Sequence, residues 1–380
     1  MTIELRKLKE INTFDFIFYF SLTILVANTI ISQSFLVYFS SRVFTIVGIF
    51  GFLLRFFYLI KSKYIKLPEI ILMSVILIVG FIVSRISLDN RILWLAIALC
   101  ASKNLKFQTI AKITFWTTLL VSGCVIFFSF IMDANIVITR KGGFSLGLGH
   151  PNIVHGIFML LCSLYIYLNW NNISILKCIV LEVLNLFFYQ ITLSRSGMLS
   201  LSGMIVMIII FKLLSYYKSD YKKKILSVYS IIIFIIIVTF SILPILYNLF
   251  PDSILLITID SWLTGRLWQG SFYLDLGGIN LFGNYFSELN TSTPVAYLDM
   301  GFFRILVEYG IISYFLIIIG YIKAIREVIE KDEYGLFFMM ASMLFFTCIE
   351  SLGTYVFFNI TFLYFTKFLT FKTDKKLVEY

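Results

Sequence analysis

Apolar and aromatic residues run along this chain in long blocks that recur every 20 to 35 positions or so, and nearly every block ends in charged residues. A bilayer core of about 30 Å needs roughly 20 helical residues to cross it. Barrel strands would instead alternate over about 10 residues. The blocks therefore predict membrane helices, over 13–31, 36–60, 68–85, 91–103, 109–131, 151–169, 177–193, 197–215, 225–248, 300–322, 334–351 and 353–370. This describes an all-α polytopic membrane protein of about 12 transmembrane helices, a single integral domain over 1–380. One long segment, 249–300, breaks the pattern and reads as a large extracytoplasmic loop. A loop of that length needs a functional reason.

The basic residues orient the helices. If both termini are cytoplasmic, most of the 31 lysines and arginines fall on the inner side at every second connection, as the positive-inside rule requires. The other eight are Arg42, Arg85, Arg91, Arg140, Lys141, Arg195, Arg266 and Arg304, and seven of these are arginine although the chain has 21 lysines and 10 arginines. Topology gives no reason for arginine outside. Its planar fork pairs bidentately with phosphate and keeps its charge in partly dry surroundings. Arg140, Arg195 and Arg266, set among glycines and polar residues at helix boundaries, read as ligand-binding, whereas Arg42, Arg85 and Arg91 read as headgroup contacts.

Composition excludes a soluble domain, since 60% of residues are hydrophobic and 14% charged, against nearer half and a quarter in soluble proteins. The net charge of +10 lies in short loops and not on one soluble face, which argues against nucleic acid as a partner. The five cysteines all fall inside apolar runs without metal-type spacing and read as small hydrophobes. The basic N-terminus leads into an apolar run with no small-residue cleavage pattern, so an uncleaved first helix is expected. No internal repeat is evident, where a secondary transporter would favour one.

Three expected outer segments carry the candidate chemistry. In 140–156, RKGGFSLGLGHPNIVHG, four glycines allow close backbone approach, Pro151 suits a first helical turn and His150 lies where an anion is favoured. The second is the tight turn TLSRSG at 192–197. The third is the long loop with LTGR at 263–266, followed by LDMGFFRILVEYG at 298–310.

In this combination the sequence resembles the Wzy family of polysaccharide polymerases, which includes O-antigen, capsular and exopolysaccharide polymerases within the O-antigen ligase superfamily. The matching pieces are SLGLGHPN at 145–152, SRSG at 194–197, LTGR at 263–266 and the 298–310 block, in the family's order over roughly residues 90 to 325. Met300 stands where the family often has asparagine after the aspartate. The resemblance implies a GT-C-like helical fold in a bacterial plasma membrane. It also implies a glycosyltransferase that moves a growing glycan from undecaprenyl diphosphate to a hydroxyl of another lipid-linked repeat unit on the outer face. Its partners would be undecaprenyl-diphosphate-linked oligosaccharide, membrane lipids, a chain-length regulator and a flippase.

A departing diphosphate must have its charge stabilised by a metal or by fixed cations. The outer carboxylates Asp252, Asp260, Asp275, Glu288 and Asp299 are spread singly with no DxD pattern, so the expectation is no metal and no cofactor, with Arg140, Arg195 and Arg266 on the diphosphate. The attacking hydroxyl needs a base. Asp299 and His150 are the preferred candidates, with Arg266 beside them, while His155 reads as buried polar support. Glu182 and Glu308, costly inside spans, come second. Asn152, Ser194, Trp262, Trp268 and Arg304 are expected at the substrate, the two tryptophans as a sugar-stacking platform or as interface anchors. Two other readings stay open, a ligase using a different acceptor and a flippase or exporter of the same lipid-linked glycan.

Overall fold

The computed structural model describes residues 12–40, 42–62, 65–132, 142–217, 221–286 and 298–369. Among them all regular secondary structure is helical: α1 (Thr13–Ser32), α2 (Arg42–Lys61), α3 (Leu67–Ser87), α4 (Arg91–Ala101), α5 (Phe107–Ile131), α6 (Pro151–Leu168), α7 (Ile175–Thr192), α8 (Arg195–Tyr217), α9 (Lys222–Leu249), α10 (Ile254–Trp262), α11 (Arg266–Gly277), α12 (Gly301–Glu308), α13 (Gly310–Glu330) and α14 (Tyr334–Ile349). Short 3₁₀ turns complete it, the last two at Ser351–Thr354 and Ile360–Leu369. Polar side chains start several helices. Asn12 Oδ1 accepts from Phe14 N and Ser174 Oγ from Lys177 N, each at 3.2 Å, satisfying N–H groups that a helix start leaves unpaired.

Eight of these helices, α1–α3 and α5–α9, are long and apolar enough to cross a membrane. The protein is a polytopic membrane protein, and the other four expected spans take different forms. The 91–103 block is an 11-residue helix, about 17 Å long at 1.5 Å per residue. The 300–322 block breaks into α12 and α13 at Gly310, whose φ of 87° only glycine adopts freely. α14 has 16 residues, about 24 Å. The final block is largely 3₁₀.

Apolar side chains cover both inside and outside. α14 is apolar all round and sits at the centre, every residue from Gly335 to Leu344 buried against α6, α8 and α9, as a helix without a polar face must be. α7 is the opposite case: Leu176, Val183 and Phe187 are 70%, 61% and 59% exposed, a surface that only lipid or a partner makes tolerable. Four cysteines are buried as small hydrophobes, but Cys124 is exposed on α5.

The 249–300 segment is not an open loop where it is described. α11 packs along α9, and Asn248 at the end of α9 donates to Asp275 Oδ1 at 2.7 Å and Ser271 Oγ at 3.1 Å. These contacts fix the middle and end of α11 against the end of α9.

Candidate functional site

Five segments far apart in sequence meet around one cavity of about 340 Å³, the end of α14 contributing Ile349. The start of α6 brings His150 and Asn152, the α7–α8 turn brings Thr192, Arg195 and Ser196, the α10–α11 corner brings Trp262 and Arg266, and the lead into α12 brings Asp299. Gly149 has φ +65°, and a Cβ there would sit 2.8 Å from the Gln33 carbonyl oxygen, so only glycine lets this segment pass the end of α1 and deliver His150.

Arg266 is the first residue of α11. Asp260, at the end of α10, accepts from Leu267 N at 2.7 Å and Trp268 N at 3.3 Å, standing in for the cap side chain that Gly265 lacks. Where the sequence suggests a guanidinium turned toward a ligand, Arg266 is only 7% exposed, its two terminal nitrogens are engaged, and its Nε is buried without a hydrogen-bond partner among the described residues. Nη1 donates to Ile349 O at 2.5 Å, Nη2 donates to Glu350 Oε1 at 2.7 Å, and Asp299 Oδ2 lies 3.5 Å from Nη2. Burial disfavours its charge, yet the Glu350 and Asp299 carboxylates outweigh that and hold it firmly protonated. Asn152 Nδ2 donates to the same Glu350 oxygen at 2.9 Å.

Glu350 is thus the hub of the site, although no motif in the sequence points to it. It follows the apolar run of α14 directly, where a lone carboxylate is costly unless paired; that cost was the available signal. Asp299 answers to this hub. Withheld solvent first, then the Glu350 charge, push its carboxyl up to about 6, against the Arg266 and Arg304 cations. The side chain is still 34% exposed, and it lines the cavity.

His150 caps α6: its Nδ1 accepts from Asn152 N at 3.2 Å. That contact uses the Nδ1 lone pair and puts the proton of the neutral ring on Nε2, which makes Nε2 a donor. The ring is open to the cavity, yet the protein packed around it, aided by Arg266 and opposed by Glu350, lowers its proton affinity. Asp299 is therefore better placed than His150 to receive a proton.

Arg195 begins α8, is exposed at the cavity wall, and has no ion pair or hydrogen bond from its side chain among the described residues. Among the described residues it is the site's unspent cation. Arg140 lies outside the described residues.

Three expected contacts lie elsewhere. Ser194 is buried, its hydroxyl 3.3 Å from that of Ser196, so it shapes the turn and does not face the cavity. Trp268 turns outward and stacks on Phe272 with ring centroids 6.1 Å apart, because two helical positions place it across the axis from Arg266. Arg304 pairs with Glu308 and lines a separate cavity. His155 is fully buried between Thr192 Oγ1 at 3.0 Å and Asn185 Oδ1 at 2.8 Å, supporting the α7–α8 turn as its position suggests.

No family model, curated protein or solved structure matches the chain.

Proposed function

We propose that this protein is a polysaccharide polymerase, transferring a growing glycan from undecaprenyl diphosphate to a hydroxyl of another lipid-linked repeat unit. The observation that carries this reading is the convergence of His150, Arg195, Arg266 and Asp299, from four separate segments, on one cavity at the end of an apolar bundle. An arginine unpaired among the described residues and a carboxyl of raised proton affinity, lining one cavity, are the two groups that such a transfer needs.

In this reading the donor diphosphate lies against Arg195 and the His150 Nε2–H. The acceptor oxygen bonds to the anomeric carbon, and its proton passes to Asp299. The bond from that carbon to the diphosphate oxygen breaks, its electron pair leaving with undecaprenyl diphosphate. Arg266 is a positioning residue here, holding Asp299 and Glu350 in place. The twelve-span, GT-C-like arrangement in a bacterial plasma membrane, with both termini cytoplasmic and the cavity outside, belongs to the same proposal.

The purified chain in lipid nanodiscs, given undecaprenyl-diphosphate-linked repeat units alone, should produce a ladder of longer lipid-linked glycans. Absence of extension overturns the proposal. Transfer only to an added acceptor of another kind would make the protein a ligase.

A further inference from the structure

The segment entering α12 has a second cavity on its other side, of about 530 Å³, within the size range of small-molecule sites, roughly 300–1,000 Å³. Leu298 lines this cavity and its neighbour Asp299 lines the first, as successive residues of extended chain point to opposite faces. Its walls carry Trp94, Tyr285 and Tyr355, with Arg91, Asp89 and Arg304 among them.

The charges of this cavity are balanced. Arg304 pairs with Glu308 and lies 3.7 Å from Asp89 Oδ2. Arg91 Nε lies 3.2 Å from the same oxygen, which also accepts from the Tyr309 hydroxyl at 2.9 Å. Two guanidinium groups facing two carboxylates leave no net charge to attract an anion, whereas the first cavity holds the unpaired Arg195. Hydrogen-bonding capacity is nevertheless left over. Arg91 Nε is buried without a properly aligned acceptor, and the Trp94 indole N–H makes no hydrogen bond among the described residues. Arg91 also lies 4.0 Å above the Tyr355 ring, a cation–π contact that steadies one aromatic wall.

Flat apolar faces beside paired donors and acceptors, without net charge, suit a neutral ligand that is both ring-shaped and rich in hydroxyls. We propose that this second cavity is a carbohydrate subsite, seating a neutral sugar of the glycan substrate beside the Leu298–Asp299 partition. The inference rests on the polymerase reading for the identity of the glycan, but binding itself is measured without catalysis.

The full chain in nanodiscs would be titrated with soluble oligosaccharides released by hydrolysis from the host's surface polysaccharide, with saturation-transfer NMR as the readout. The parent should bind, and Trp94→Ala and Tyr285→Ala should each weaken binding by about tenfold, whereas Arg195→Ala in the first cavity should stay within about twofold of the parent. Tyr285 is 48% exposed, so its replacement leaves packing intact and loss of binding there is not loss of fold. The subsite is overturned if no fragment binds the parent, if both aromatic variants bind as the parent does, or if only Arg195→Ala weakens binding. Sugar binding by a chain that extends no lipid-linked glycan would overturn the polymerase reading and leave the subsite standing.

Discussion

Arg266 Nη2 donates to Glu350 Oε1 at 2.7 Å across 84 positions of sequence, and both side chains are 9% exposed. Removing one partner of a buried ion pair strands the other charge, which costs about 3–5 kcal/mol. Arg266→Ala should therefore lower thermal stability in detergent as well as abolish chain extension, and Arg266→Lys, which cannot reach Ile349 O and Glu350 with one planar fork, should recover only part of the loss. A melting temperature unchanged in Arg266→Ala would show that the pair holds nothing in place.

Arg195 should behave in the opposite way. It is exposed and unpaired among the described residues, so Arg195→Ala should leave stability within about 0.5 kcal/mol of the parent. Chain extension should fall roughly 30- to 1,000-fold, the effect of losing about 2–4 kcal/mol of charge stabilisation in the transition state. Extension within about threefold of the parent, at matched protein levels, would exclude Arg195 from the diphosphate site.

Asp299 is the one carboxylate lining the first cavity among the described residues, and Glu350 behind it is tied to Arg266, so the cavity offers no carboxylate pair to a divalent cation. Chain extension by purified protein should persist in a strong chelator. Loss of activity that magnesium or manganese restores would mean that the leaving group depends on a metal.

α9 has 28 residues, about 42 Å at 1.5 Å per residue, longer than a hydrocarbon core of about 30 Å. Reporter fusions at Lys222, its first residue, and at Ser253, just past its last, should report cytoplasm and exterior respectively. Both reporting one side would remove the cavity from the outer face.

What could be read in the sequence follows from which forces are local. Helix-length apolar blocks announce themselves, so α1–α3 and α5–α9 fall close to their expected positions. The glycine-containing turns likewise mark His150, Arg195 and Asp299 as boundary residues. Two things are not local. Glu350 matters only because α11 brings Arg266 to it, and nothing in the spacing of one anticipates the other. Arg304 and Ser194 lie within matching blocks, yet their side chains face away from the cavity because helix phase and turn geometry, not proximity in sequence, decide direction. Arg91 reads as an ordinary headgroup contact until Arg304 and Tyr309 are seen to share the Asp89 carboxylate with it.

Asp299, with its carboxyl pushed up to about 6, accepts a proton only when ionised, so activity is present above that value and lost below it. About nine-tenths of the groups are ionised at pH 7 and about one-tenth at pH 5, so extension should fall roughly tenfold between them. After withheld solvent, the Glu350 charge contributes most to the shift. Glu350→Gln removes that charge while keeping an acceptor for Arg266, and should move the acidic limb to lower pH, preserving activity at pH 5 relative to pH 7 better than in the parent. Asp299→Asn should be inactive at every pH, with insertion and stability retained. An acidic limb that stays in place in Glu350→Gln would mean that a group other than Asp299 sets it, and near-normal chain extension by Asp299→Asn would remove the residue from the reaction altogether.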